Sequence, residues 1–246
     1  MEEELLSPEE VAEYLGIGSV TVWRWCRDGT LPCAKIGRSW RIRRSALEEF
    51  VRKSERSNTL VGRLRTFLEV PDNVLAIAQT RELMLNLDTA FFRVGQARGG
   101  ALVKYYVVEA GKSVDKLRAE LERRGLEVTR LEDQGKLRFI AESGEPGERT
   151  QELRGLVAEE ADNDRSIWVD YDWEDRFDVE AALKQQAAIT GLIGDTDLVV
   201  KTTILEQHLD DWPGAWQRRV QVMHSGTVWL SEAGLALSRV VPPPVL

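Results

Sequence analysis

"SVTVWRWCRDGTLPCAKIGRSWRIR", residues 19–43, predicts a short helix followed by a β-hairpin. In its first half, Val22, Trp25 and Cys26 recur at helical spacing and form one apolar face. Gly29 ends this helix. Alternating apolar residues then indicate two strands around a three-residue turn at 37–39. On its other face the helix is expected to present short polar and arginine side chains. In the hairpin, Lys35, Arg41 and Arg43 are expected to point outward, with Arg38 at the tip.

The residues on either side of this stretch predict two more helices. Ser7 and Glu10 have the spacing of a capping box, and Pro8 suits a first helical position. Gly16-Ile17-Gly18 then forces a tight turn, after which Ser19 is expected to cap the second helix. A third helical pattern covers residues 45–51. Helix, turn, helix, hairpin and helix together predict a winged helix-turn-helix.

The charge of the chain is distributed unevenly. The net charge is -8, yet residues 1–56 hold ten Lys and Arg and ten Asp and Glu, so the remainder carries the whole excess. Residues 24–44 contain seven basic side chains and one acid, Asp28. A basic segment on a predicted winged module favours contact with double-stranded DNA.

The segment "LSPEEVAEYLGIGSVTVWRWCRDGTLPCAKIGRSWRIRRSALEEFV", residues 6–51, resembles the excisionase-like branch of the MerR-type winged helix-turn-helix family. The pattern that carries the resemblance is "SVTVWRW", then "LP", then "KIGRSWRIR". The resemblance implies that the second helix lies in the major groove and the wing lies on phosphate or in the minor groove. The implied contacts are Ser19, Thr21, Arg24 and Arg27 to the groove, Trp23 to the backbone, and Lys35, Arg38, Ser39 and Arg41 from the wing.

Composition excludes several classes of protein. Apolar residues make up 43% of the chain and charged residues 30%, as in globular proteins. No apolar run approaches the roughly 20 residues that span a bilayer. The acidic start, "MEEE", is unlike a signal peptide. We therefore expect a cytoplasmic protein with no membrane partner.

The cysteines and histidines do not predict a metal site. Cys26, Cys33, His208 and His224 are the only residues of these types, and their spacing does not match a zinc motif. We expect Cys26 to be a small core residue and Cys33 to lie in a turn. No metal and no cofactor is predicted.

From residue 70 the chain alternates strand patterns with helical ones. Such alternation predicts an α/β fold with a mainly parallel sheet between helices, and short runs after Trp212 predict antiparallel hairpins. The predicted domains are residues 1–56, a linker and helix at 57–69, and residues 70–246. The predicted strands are 74–78, 102–108, 137–141, 167–170 and 198–204, and the main helices are 81–97, 114–124, 148–160 and 178–191.

An apolar stripe stands between the two predicted domains. Leu60, Leu64, Phe67 and Leu68 recur at helical spacing. The stripe either docks on the large domain or pairs with its copy in a homodimer.

The stretch "VVEAGKSVDKL", residues 107–117, has part of the pattern of a phosphate-binding loop. Such a loop needs an earlier glycine, and Tyr106 stands at that position inside a predicted strand. Ser113 is therefore expected to cap the next helix instead of binding phosphate. Mutation of Lys112 should leave the fold and DNA binding unchanged.

The segment "VLAIAQTREL", residues 74–83, the strand "SIWVDYDW", residues 166–173, and the tail "RVQVMHSGTVWLSEAGLALSRV", residues 219–240, resemble the RecA/KaiC-like fold. More narrowly, residues 74–140 resemble the sensory domain called MEDS, found beside DNA-binding modules in regulators of the DcmR type. Residues 79–82 replace the Walker A loop and lack its glycines and lysine, so the resemblance implies a domain that does not hydrolyse ATP. Asp170 takes the place of the Walker B acid.

Acidic residues form a cluster just beyond the carboxyl end of the strand predicted at 167–170. They form either a solvated loop or a ligand site at the carboxyl end of the sheet. The residues are Asp170, Asp172, Glu174, Asp175 and Asp178.

The sequence thus predicts a transcriptional regulator and not an enzyme. Its first domain would bind DNA as a homodimer, and its second would sense a small-molecule or protein effector or mediate assembly. The alternative is an excisionase-like architectural protein that acts with a recombinase.

Overall fold

A computed structural model describes residues 4–54, 59–107, 113–141, 148–161, 163–173, 179–194 and 196–239. The chain divides into two compact units, Met1–Asn58 and Thr59–Leu246. The helix that we predicted as part of the linker therefore belongs to the larger unit.

The smaller unit contains the predicted helices and hairpin. Three strands pair antiparallel in the order β1-β3-β2. Val11, Val22 and Ile42 are fully buried in the core that the helices cover. The elements are β1 (Leu5–Leu6), α1 (Pro8–Leu15), α2 (Ser19–Arg27), β2 (Cys33–Ile36), β3 (Ser39–Arg43) and α3 (Arg44–Ser54).

The two predicted helix caps have different outcomes. The capping box of α1 is confirmed: the Glu10 amide donates to Ser7 Oγ at 3.2 Å, and the Ser7 amide donates to Glu10 Oε2 at 2.7 Å. The cap predicted for Ser19 is wrong. Gly18 is the N-cap and Ser19 is already the first helical residue, so the start of α2 has no side-chain cap.

The wing turns more tightly than predicted. Ile36 faces Ser39 across the hairpin, so the turn has two residues, Gly37 and Arg38. Gly37 adopts a φ of +62°, which a residue with a Cβ rarely takes. Ile36 is consequently close to the tip and 57% exposed, and does not take part in the predicted buried alternation.

Cys26 and Cys33 form a disulfide, which the sequence analysis did not predict. Cys26 lies in the core, as expected, but Cys33 begins β2 and does not lie in a turn. The chain reverses between α2 and the wing, and this brings the two Cα atoms to 5.2 Å. The bond therefore fixes the end of α2 to the start of the wing.

The larger unit is an α/β fold, as predicted. Its strands are β4 (Asp72–Ala78), β5 (Ala101–Tyr106), β6 (Leu137–Ala141), β7 (Ile167–Trp173), β8 (Leu198–Leu205), β9 (Gly226–Ser231) and β10 (Gly234–Arg239). Its helices are α4 (Leu60–Phe67), α5 (Arg81–Ala97), α6 (Val114–Arg123), α7 (Val128–Asp133), α8 (Glu148–Ala161), α9 (Val179–Ile193), α10 (Glu206–Asp210) and α11 (Gly214–Val222). Within the described ranges, no helix is both long enough and apolar enough to cross a bilayer.

One sheet organises this unit. Among the described residues its seven strands follow the order β10-β9-β4-β8-β7-β5-β6, and every neighbouring pair except β9 and β10 is parallel. Helices α4 to α7 pack on one face, and α8 to α11 pack on the other. The carboxyl ends of the central strands therefore open between two helical layers, where α/β proteins bind ligands.

Two parts of the larger unit differ from prediction. Strand β7 continues to Trp173, because residues up to that position remain in register with β8. The alternation at 218–222 suggested a strand, but these residues belong to α11. Val220 alone faces the core there, whereas Val222 is 68% exposed. Up to residue 239, the tail therefore contains one antiparallel hairpin, and the first strand of this hairpin pairs in parallel with β4.

The apolar stripe of α4 docks on its own domain. Leu64 and Leu68 are 1% and 2% exposed and pack in the core beneath α5. Of the two roles that the sequence left open, docking accounts for the stripe, and a dimer seam built from these buried leucines is wrong.

Candidate functional site

Helix α2 presents one continuous exposed stripe. Val22 and Cys26 face the core, so the opposite side of the helix carries Val20, Trp23, Arg24 and Arg27 at the spacing of one helical face. The Val20 side chain is 80% exposed, and that of Trp23 is 38% exposed. A short exposed helix face with two arginines matches the size and charge of a major groove reader.

The stripe differs in part from the predicted contact set. Arg24 and Arg27 lie on it, while Ser19 and Thr21 are half-buried at its edge. Val20 was missed, although it stands one turn before Arg24 in the sequence. The signal for Val20 is its helical spacing from Arg24 and Arg27, which places this apolar side chain on the same face of α2.

Two side chains of the stripe have partners within the unit. Trp23 Nε1 donates to Glu9 Oε1 at 3.1 Å, which ties α2 to α1. Arg27 Nε lies 3.0 Å from Asp28 Oδ1, and the arginine side chain is 72% exposed. Such surface pairs contribute at most about 1 kcal/mol, so Arg27 can exchange this partner for a phosphate or a base.

The predicted wing residues do not all face the same way. Arg38 and Ser39 lie at the exposed tip. Lys35 is paired with Trp40, and its Nζ lies 5.7 Å from the centre of that ring. Arg41 follows Trp40 in the strand and therefore lies on the other face, where its Nη1 donates to the Trp40 carbonyl at 3.0 Å. The prediction that Lys35 and Arg41 share an outward face is wrong.

A row of charged residues crosses the core of the larger unit. Lys104 of β5, Asp170 of β7 and Lys201 of β8 are direct neighbours in the sheet register. Lys104 Nζ lies 3.0 Å from Asp170 Oδ2, and Lys201 Nζ lies 2.6 Å from Asp170 Oδ1. All three side chains are at most 2% exposed. The three central strands are thus joined by an ionic row beneath α5.

Two further carboxylates complete this charge network. Asp88 of α5 contacts both ammonium groups, at 3.1 Å from Lys104 Nζ and 2.7 Å from Lys201 Nζ. Asp172 Oδ2 accepts from Lys104 Nζ at 2.8 Å. We call Asp88, Lys104, Asp170, Asp172 and Lys201 the charge network.

The charge network holds three carboxyl groups and two ammonium groups. Burial and the neighbouring charge of Asp88 raise the pKa of Asp170 to about 7. Burial alone would lower the pKa of Lys104, but the surrounding carboxylates raise it well above its usual value. The lysines therefore stay charged, whereas Asp170 binds a proton more readily than a carboxyl group in water does.

Lysine ammonium groups occupy the place that a cation could take in this network. Oxygen atoms of Asp88, Asp170 and Asp172 lie within 4.8 Å of one another, close enough to share a metal ion. The same carboxylates bind Lys104 and Lys201. These residues therefore fit an internal ionic network better than a metal site.

The sequence predicts only part of the network. It identified Asp170 and Asp172, but as residues beyond a strand, and the solvated-loop alternative is wrong for both because they lie within β7. Glu174, Asp175 and Asp178 lie outside the described residues. A signal for the missed lysines exists: each is the single charged residue in an apolar strand, "ALVKYY" and "LVVKTTIL".

The connections after β4 and β5 differ from a phosphate loop. Strand β4 ends at Ala78 and α5 begins at Arg81, so two residues join them, and Thr80 Oγ1 accepts the Leu83 amide at 3.2 Å. Ser113 caps α6, as predicted, by accepting the Asp115 amide at 3.1 Å. Gly111 and Lys112 lie outside the described residues.

Comparison with known proteins supports the two-part architecture. A family model described as a helix-turn-helix domain matches residues 5–55. A search of curated proteins found no match to this chain. The solved structures that resemble it include a KaiC-like protein from the hyperthermophilic archaeon Pyrococcus horikoshii OT3, with 11% identity and a TM-score of 0.50 over 73% of this chain and 83% of that one.

A second Pyrococcus horikoshii OT3 protein, solved in a structural study, shares 10% identity with a TM-score of 0.50 and covers 76% of this chain and 99% of its own. At such low identity the likeness shows the fold alone. The chain therefore has a helix-turn-helix domain followed by a KaiC-like α/β fold. The narrower likenesses to MerR-type and MEDS proteins remain predictions.

Proposed function

We propose that this protein is a sequence-specific, DNA-binding transcriptional regulator whose larger unit senses an effector or mediates assembly. The observation that carries the proposal is the exposed stripe of α2 beside a basic wing, in a unit that matches a helix-turn-helix model. Arginines of the stripe would contact bases, and the tip of the wing would contact phosphate.

Removal of thymine methyl groups should reveal what Val20 contacts. We expect this side chain to pack on a thymine 5-methyl group, because its methyls are exposed beside Arg24 on the stripe. Replacing that thymine by deoxyuracil in the preferred site should weaken binding by about 0.8 kcal/mol, or roughly fourfold in Kd. Fluorescence anisotropy of duplexes substituted one thymine at a time measures this.

Val20→Ala is the matched protein variant for this experiment. It should bind the thymine and deoxyuracil duplexes with nearly equal affinity. If replacing thymine by deoxyuracil weakened binding of the wild type and of Val20→Ala equally, a residue other than Val20 would contact the methyl group.

The protein should bind DNA as a homodimer. One recognition helix and one wing bury only roughly 600–1,000 Å² on DNA, which is little for a specific site. Two-fold symmetry is the commonest way to double that contact. Footprinting should show two related half-sites about 10 base pairs apart, centre to centre, or a multiple of this. A monomer that protects a single asymmetric half-site would contradict this.

Mg²⁺-ATP should not bind to the larger unit, because no phosphate loop follows Ala78 and Tyr106 stands where such a loop would need its first glycine. The two-residue connection before α5 is too short to wrap phosphates with backbone amides, and Lys104 and Lys201 already pair with the acids of β7. Calorimetry at millimolar nucleotide should show no heat of binding, and Lys112→Ala should leave DNA binding unchanged. Binding of Mg²⁺-ATP that Lys112→Ala abolishes would support an ATP-dependent enzyme instead.

A further inference from the structure

A cavity of about 510 Å³ lies between the first turn of α5 and helix α6, at the carboxyl ends of β5 and β7. Sites for small molecules commonly measure about 300–1,000 Å³. The cavity therefore has the size and the position in the sheet of a small-molecule site.

The charges around the cavity favour an anion. Asp172 at its floor is paired with Lys104, and Glu120 at its edge is paired with Arg123 and Arg124. Two further cations, Arg81 and Lys116, and a third acid, Glu82, also line it, so that cations outnumber acids by five to three among the described lining residues. This positive balance is unusual for a unit in which residues 59–246 contain 23 Lys and Arg against 31 Asp and Glu.

Arg81 is an exposed cation at the N-terminus of α5. It is the first residue of the 17-residue helix α5, where the positive end of the helix dipole repels a cation. Among the residues that the structure describes, none makes a hydrogen bond or ion pair with its side chain. A bound anion would gain from both the guanidinium and the helix terminus.

Part of the remaining wall is apolar. Met84 and Leu85 of α5, Leu117 of α6 and Val107 after β5 line the space beside these cations. A free inorganic anion would leave this surface hydrated. An organic anion with an apolar body would cover it and gain from burial.

We propose that this cavity binds an organic carboxylate with an apolar body, with the carboxylate at Arg81. The proposal rests on the proposed sensing function of the larger unit and names the class of its effector. Arg81 acts as the binding residue, and the apolar side chains of α5 and α6 hold the body of the ligand.

Titration calorimetry of the full chain with octanoate tests the assignment. Octanoate should bind at least about tenfold more tightly than octylammonium, which has the same chain and the opposite charge, and than acetate, which lacks the chain. Arg81→Ala should weaken octanoate binding by about tenfold. Arg93→Ala, which removes an exposed arginine from the same helix, should leave the affinity unchanged.

Three results would overturn the assignment. The first is that octanoate does not bind, and the second is that octanoate and octylammonium bind with equal affinity. The third is that the Arg81→Ala variant binds octanoate as tightly as the wild type does. Measuring DNA affinity with and without octanoate distinguishes the cavity assignment from the proposed sensing function. Octanoate that binds through Arg81 without changing DNA affinity would keep the cavity assignment and contradict the sensor role.

Discussion

Asp88→Ala should destabilise the larger unit by about 3–5 kcal/mol, because it removes one of the two carboxyl groups that both buried ammonium groups contact. Asp88 is fully buried and contacts both Lys104 and Lys201. Hydrogen exchange at the amides of β7 and β8 in the full chain reports opening of this unit and measures the loss.

Two variants separate the ionic effect from simple truncation. Glu82→Ala removes an exposed carboxylate from the same helix and should change stability by no more than about 0.5 kcal/mol. Adding Lys201→Met to Asp88→Ala should cost less than the sum of the two single changes, since Lys201 has already lost one of its two carboxylate partners. Additive effects below about 1 kcal/mol each would contradict a coupled network.

Arg24→Ala should weaken binding to the preferred DNA site by about 1–3 kcal/mol and relax the preference at one base pair. Arg24 lies in the middle of the exposed stripe of α2 and is placed to reach a base edge. Anisotropy titrations on the preferred duplex and on its single base-pair variants measure both effects.

Arg38→Ala is the comparison that distinguishes base reading from phosphate contact. Arg38 lies at the tip of the wing, so its loss should weaken binding to all sequences alike and lower the salt slope by about one. If Arg24→Ala weakened specific and random DNA equally, α2 would not be the recognition helix.

The sequence predicted much of the smaller unit because its signals are local. The capping box of Ser7 and Glu10, the glycine turn and the basic hairpin depend on residues a few positions apart. The face taken by Lys35 was mispredicted because it follows from the cross-strand register. The turn has two residues instead of three, and this changes which residues of β2 and β3 pair with each other. The disulfide of Cys26 and Cys33 needs the chain reversal between α2 and β2, which spacing alone does not give.

The charge network shows where sequence reasoning ends. Its members are separated by up to 113 residues, and only the parallel order of β5, β7 and β8 brings them together. A lone lysine in an apolar strand indicates a buried partner but does not identify it. The same limit applies to the α4 stripe, whose pattern is equally suited to docking and to pairing.

Selection from a random-sequence duplex library tests the central claim most directly. Full-length protein, carried through successive rounds at fixed salt, should enrich one motif that contains two related half-sites, and that motif should bind at least about a thousandfold more tightly than random DNA. Arg24→Ala, carried through the same rounds, should enrich a motif that has lost one specified base pair per half-site. A library that stays random, with affinity that changes with salt alone, would contradict the proposal that this protein reads DNA sequence.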